Sequence, residues 1–204
     1  MLNTFRRCSL LLDAIYYYYT ERFLGNNSSR IKGSVLEAGG YRYAKRYGKN
    51  NVSKVDLLLL KGTSIPGGGN IVTLEDADRI PSHTYDCIIL PQTLEYMYEI
   101  KAELFTLHRI LKHSGVLLST VSGISRNIKV DHDANRLWSF TALSAYKLCA
   151  EVFPESHISI SCYGNVMTAT AIMQGLTTED LTSGQLNFND PHYQVVIAIR
   201  AMKP

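Results

Sequence analysis

The chain has 204 residues, with 21 lysines and arginines against 18 aspartates and glutamates, and a formal net charge of +3. So small a charge argues against a polyanion partner and against an acidic tail, and a chain of this length buries a sizeable core without disulfides or structural metal. Cys8, Cys87, Cys149 and Cys162 form no CxxC pair, and Cys87 and Cys162 lie in apolar runs where a free thiol packs as a small hydrophobe. Reduced thiols in a soluble, cytoplasmic protein are expected. Arg6 and Arg7 before residues 9–12 superficially resemble a secretory signal, but Asp13 cuts the apolar run and no small-residue cleavage site follows. No stretch approaches the ~20 apolar residues of a membrane span.

In chain order, residues 4–24 read as a helix, with Leu11, Ile15, Tyr18 or Tyr19, and Phe23 at helical spacing. The run from Tyr16 to Tyr19 puts aromatics on all its sides, so some must meet another surface. Gly25 and the polar residues after it end this helix, which gives an N-terminal helix and linker over 1–30 and one domain over 31–204. Short apolar strands then alternate with helical segments. Strands are predicted over 34–38, 52–56, 70–74, 85–90 and 116–121, a short helix around 41–47 and a longer one over 102–112, broken by Ser114-Gly115. Beyond these come helices over 141–153, capped by Thr141, and 166–176, with strands over 157–163 and 193–201. The alternation predicts an α/β fold with a mostly parallel sheet covered by helices on both faces. The last two strands suit an antiparallel edge.

The strongest local signal is Val35-Leu36-Glu37-Ala38-Gly39-Gly40, a glycine-bearing turn after a buried strand. Such a turn lets the backbone approach a nucleotide-like ligand closely, or it simply tightens a strand-to-helix connection. Asp56 follows about twenty residues later, at the end of the predicted second strand. An acid there either accepts hydrogen bonds from the ribose of an adenosine cofactor or is a solvated strand end, and Leu57 follows it. Leu74-Glu75-Asp76-Ala77-Asp78 offers carboxylates either to an adenine amino group or to solvent. His132, flanked by Asp131 and Asp133, is a candidate general base or part of a polar loop. The histidines show no metal-ligand spacing, and no metal is expected.

Two segments carry a family resemblance. Tyr85-Asp86-Cys87-Ile88-Ile89-Leu90-Pro91-Gln92-Thr93-Leu94-Glu95 is similar to the fourth-strand segment of class I methyltransferases, and Leu107-His108-Arg109-Ile110-Leu111-Lys112 with Gly115-Val116-Leu117-Leu118 is similar to their entry into strand five. Leu137-Trp138-Ser139-Phe140-Thr141 resembles the "YWRFT" box of a bacterial subgroup often encoded near, or fused to, glycosyltransferases. The resemblance covers roughly residues 16–204. It implies a seven-stranded Rossmann-like methyltransferase fold, with S-adenosyl-L-methionine at the carboxyl ends of strands one to four. It further implies that Glu37, Gly39, Gly40 and Tyr41 form the first cofactor motif, Asp56 with Leu57 the ribose side, Thr73 or Asp76 the adenine side, and Pro91 and Gln92 the adjoining loop. Tyr41 stands where the family has a second glycine, and His113-Ser114 replaces Pro-Gly. The implied activity is methylation of a sugar or surface-glycan hydroxyl or another small-molecule acceptor, with a glycosyltransferase as a possible partner. The alternative is a non-catalytic interaction module of the same fold. Nucleic acid is not implied, because Lys and Arg are dispersed.

Overall fold

The computed structural model describes residues 14–59, 79–125 and 136–204, and the backbone of 71–73. Asp76, His132 with its flanking aspartates, the triple glycine at 67–69 and the start of the first predicted helix lie outside the described residues. The elements, in order, are α1 (Ala14–Asn26), β1 (Gly33–Ala38), a π-helical turn (Ala44–Gly48), β2 (Val52–Leu59), β3 (Ile71–Thr73), β4 (Tyr85–Pro91), α2 (Ile100–Ile110), β5 (Leu111–Ser122), α3 (Ala142–Ala150), β6 (Ile158–Tyr163), α4 (Val166–Gln174), α5 (Ser183–Asn187) and β7 (Val196–Met202). The seven strands form one sheet in the order β3-β2-β1-β4-β5-β7-β6. The first five are mutually parallel, and β7 runs antiparallel to both β5 and β6. The expected antiparallel edge therefore comes from one reversed strand inserted between two others.

Period-two alternation splits the strands between two cores. Leu36, Leu58, Ile88, Leu90 and Leu117 face α2 and α3, meeting Leu104, Leu107, Ala145 and Cys149. Val35, Cys87, Ile89, Val116 and Leu118 face α1 and α4, meeting Ile15, Tyr19, Phe23 and Ile172. The tyrosine run is accounted for within the chain. Tyr16 donates to the Ile124 carbonyl (2.7 Å), Tyr19 to that of Leu186 (3.0 Å) and Tyr18 to Asn187 (2.9 Å). Burial pushes the Tyr19 hydroxyl above its ordinary pKa.

Two boundaries differ from expectation. Ser114-Gly115 does not separate helix from strand. It lies inside β5, where the register slips between the Tyr85–Leu111 and Cys87–Val116 pairs and Ser114 takes φ +61°. The irregularity is a local bulge that re-aims the strand. Thr141 caps α3 as expected, in a reciprocal capping box with Ser144, but that helix ends at Ala150. The edge of the sheet opposite its carboxyl ends is closed by Lys203, whose ammonium donates to the carbonyls of His108 (2.8 Å) and Leu111 (2.9 Å) at the end of α2.

Asp86 ties the starts of β1, β4 and β5 together by accepting from the Ser34 amide (2.8 Å) and Lys112 (2.7 Å). Gly33 leaves room for it: at φ +66°, a Cβ there would lie 2.2 Å from the Asp86 carboxylate. Gly33→Ala therefore displaces this carboxylate and forces alanine into a left-handed backbone. We expect a loss of about 1–3 kcal/mol, read as a lower urea midpoint at unchanged m value. An unchanged midpoint rules the contact out as a structural tie.

Candidate functional site

The carboxyl ends of β1 to β5 form the edge where open α/β sheets place ligands. β1 delivers Glu37 there, 1% exposed. Its two carboxylate oxygens accept the backbone amides of Tyr43 (2.9 Å) and Ala44 (2.8 Å), so it caps the turn that follows the glycines. Burial pushes its pKa up to about 7, against the lowering effect of those amides. Gly39 sits at φ +80° and Gly40 at φ +157°, and a Cβ on either would meet nothing within 4 Å among the described residues. Among the described residues no side chain covers this backbone, and its shape is set from behind by Glu37. Tyr41 follows, and its hydroxyl is buried without a hydrogen-bond partner.

Asp56 does not lie where the sequence suggested. β2 continues to Leu59, and the edge opposite Gly39 is marked by Leu58, whose carbonyl accepts the Gly39 amide (3.4 Å). Asp56 pairs with Leu36 inside the sheet and is 3% exposed. Its carboxylate is taken by Lys54 (2.8 Å) and the Tyr85 hydroxyl (3.0 Å). Leu57, fully buried opposite Glu37, is likewise inside the sheet. The apolar run after Asp56 extends the strand and carries the acid away from the edge. Thr73, paired with Leu59, ends β3 at the carboxyl edge.

Pro91 ends β4, and Gln92 beside it adopts φ +48°, a strained backbone for a residue with a side chain. Its amide donates to the Thr120 carbonyl (2.8 Å), its side-chain amide to the Thr120 hydroxyl (3.3 Å), and its side-chain oxygen accepts from Ser122. Thr120 in turn shares a hydrogen bond with Thr20 of α1 (3.1 Å).

The residue that sequence reasoning missed is Glu95. It was visible only as the end of the fourth-strand segment, and nothing in its spacing marked it as a centre of contacts. Glu95 is 0% exposed. One carboxylate oxygen accepts the Ser122 amide (3.3 Å) and lies 3.6 Å from the Arg136 guanidinium, while the other has no partner. Its main-chain carbonyl accepts the amides of Leu137 (2.8 Å) and Trp138 (3.2 Å), and the Trp138 indole donates to the Met97 carbonyl (2.8 Å). Residues 136–138 are thereby stitched to the loop after β4. Burial pushes Glu95 up to about 7, with Arg136 opposing the shift.

Among the described residues no group of three or more His, Cys, Asp or Glu side chains converges on a metal site. Nor is any helix among them long and apolar enough to cross a membrane.

No family model matches the chain, and no curated protein does. Solved structures do. The Burkholderia thailandensis 1,6-didemethyltoxoflavin-N1-methyltransferase, solved with its substrate and S-adenosylhomocysteine, aligns over 94% of this chain and 79% of its own at 14% identity and TM-score 0.56. The plantazolicin methyltransferase BamL, in complex with S-adenosylhomocysteine and a triazolic desmethylPZN analogue, aligns over 97% and 90% at 15% identity and TM-score 0.56. A putative S-adenosylmethionine-dependent methyltransferase from Listeria monocytogenes aligns over 94% and 99% at 12% identity and TM-score 0.56. The chain has the Rossmann-like methyltransferase fold. The same fold carries the [4+2]-cyclase SpnF, aligned over 90% of this chain and 81% of its own at 13% identity and TM-score 0.53. Reaction type is therefore read from the site, not from the fold.

Glu95 holds a proton in the folded chain between about pH 4.5 and 7, which the unfolded chain releases, so stability falls as pH rises through that window. Glu95→Gln keeps an acceptor for Ser122 and removes the titration. Its unfolding free energy is expected to decline less than wild type between pH 5 and 8, with Glu37 supplying the remaining slope. Equal slopes in the two proteins would rule out the buried titration. Trp138, the single tryptophan of the chain, reports the same event locally by fluorescence.

Proposed function

We propose that the chain is an S-adenosylmethionine-dependent methyltransferase acting on a hydroxyl of a sugar or related small acceptor. The observation that carries the reading is the Gly39-Gly40 loop: two glycines at positive φ, no described atom where their side chains would stand, and a buried carboxylate behind them fixing the shape. That geometry suits close approach of a nucleoside cofactor to the backbone. S-adenosylhomocysteine in the B. thailandensis and BamL structures supports the same choice.

When bound, S-adenosylmethionine supplies a methyl group open to nucleophilic attack. The residues here bind and orient. Gly39, Gly40 and Tyr41 would face the cofactor from β1, Thr73 would flank its adenine side, and Pro91 and Gln92 would border it from β4. Asp56 serves the fold as the partner of Lys54 and Tyr85 and not the ribose. Rate acceleration in such a site comes chiefly from holding two reactants in line. The sugar acceptor rests on the resemblance of the Trp138 segment to the glycosyltransferase-associated subgroup, which also supports a glycosyltransferase as partner. Exposed Tyr98, Leu137 and Trp138 beyond β4 and β5 supply aromatic and apolar surface suited to a sugar ring.

Calorimetric titration with S-adenosylhomocysteine tests the reading. One-site binding is expected, weakened roughly tenfold or more (about 1.4 kcal/mol) by Gly39→Val, which fills the open space. Asp56→Asn should leave the affinity nearly unchanged while costing about 1–3 kcal/mol of stability through its broken contacts. Folded protein that binds no S-adenosylhomocysteine would instead point to a non-catalytic module. Weakened binding in folded Asp56→Asn would return that residue to the cofactor.

A further inference from the structure

A separate pocket of about 380 Å³ opens on the flank of β2, lined by Tyr41, Lys45, Lys49, Ser53, Lys54 and two valines, with no carboxylate among its described lining residues. β3 pairs only with Leu57–Leu59, so among the described residues the first half of β2 is hydrogen-bonded on its β1 side alone. The other wall is the π-helical turn Ala44–Gly48, which carries Lys45. Single π turns cost stability and cluster at functional sites. Lys49 follows directly at φ 49° and ψ −130°, a backbone that side-chain-bearing residues seldom adopt.

Charge points to the ligand. Lys54 is neutralised by Asp56 (2.8 Å). Lys45 and Lys49 have no ion-pair partner among the described residues, and Lys45 rests only near the Tyr41 ring (5.6 Å). Two like charges four residues apart repel each other, and a bound anion reverses the sign of that interaction. The pocket thus offers two uncompensated ammonium groups, together with the hydroxyl of Ser53. Ammonium groups are compact point-charge donors suited to phosphate oxygens.

We propose that this pocket binds the dianionic phosphate group of a phosphorylated small molecule, held by Lys45 and Lys49 with a hydroxyl donor from Ser53. The site is distinct from the open face of Gly39 and Gly40 and does not depend on the methyltransferase reading. It adjoins that reading at one residue, Tyr41, which ends the glycine loop and lines the pocket.

The test is a titration of the full chain with inorganic phosphate at pH 7.5 and constant ionic strength, followed by amide chemical shifts. Saturable shifts centred on Tyr41, Lys45, Lys49 and Ser53 are expected. Lys45→Ala/Lys49→Ala should weaken binding by about tenfold or more, while Lys101→Ala/Lys147→Ala, which removes the same charge elsewhere, should change it less than about threefold. Saturating S-adenosylhomocysteine should leave phosphate bound. Non-saturating or scattered shifts, equal weakening by both double variants, or displacement of phosphate by S-adenosylhomocysteine would each overturn the proposal. The last would assign the pocket to the cofactor itself. Phosphate binding without S-adenosylhomocysteine binding would separate the pocket from the methyltransferase reading.

Discussion

Glu37 stands at the end of a strand buried on both faces, and its carboxylate has nowhere to go but the start of the next turn. The amides of Tyr43 and Ala44 there have no intrahelical partners, and each takes one carboxylate oxygen. A negative charge at the start of a helical turn is favourable, and removing it from water is costly. Burial outweighs the amides, and the pKa of the group is raised. With the chain pinned at 37 and again at 43–44, the residues between must reverse direction in very little space. Only glycine accepts the positive φ angles this requires at 39 and 40 without strain. The bare loop at the carboxyl edge is a consequence of that pin.

The other half of the edge follows the same logic with different residues. Glu95 is as thoroughly buried as Glu37 and its pKa is raised to about the same value. It holds side chains and backbone from three places: the end of β5, residues 136–138, and its own turn. The strained Gln92 is clamped between Thr120 and Ser122, and Thr20 of α1 braces Thr120 from the opposite helix layer. The polar groups of this edge thus belong to a connected hydrogen-bond network, in which rigidity is gained cooperatively. The N-terminal helix is part of that network through Thr20 and of the sheet's second core through Tyr19 and Phe23.

The contrast between Asp56 and Glu95 shows where reading by spacing fails. Asp56 stood at a suggestive distance after a glycine turn, but distance along the chain does not say where a strand ends. Four leucines follow it, and three of them continue the ladder, so the acid is drawn into the sheet and finds Tyr85 from a neighbouring strand. Glu95 had no such signal, because its importance comes from Ser122 and Arg136, 27 and 41 residues away.

The sequence by itself determined the alternation of strands and helices, the glycine turn after β1, the Thr141 cap and the resemblance that named the fold. These depend on periodicity, backbone freedom and hydrogen bonds between residues close in the chain. Tertiary structure alone decided the sheet order, the insertion of β7 between β5 and β6, the burial of Asp56 and the Glu95 network. Each of these requires groups distant in sequence to meet. Local propensity carries no information about which distant side chain will share a desolvated space.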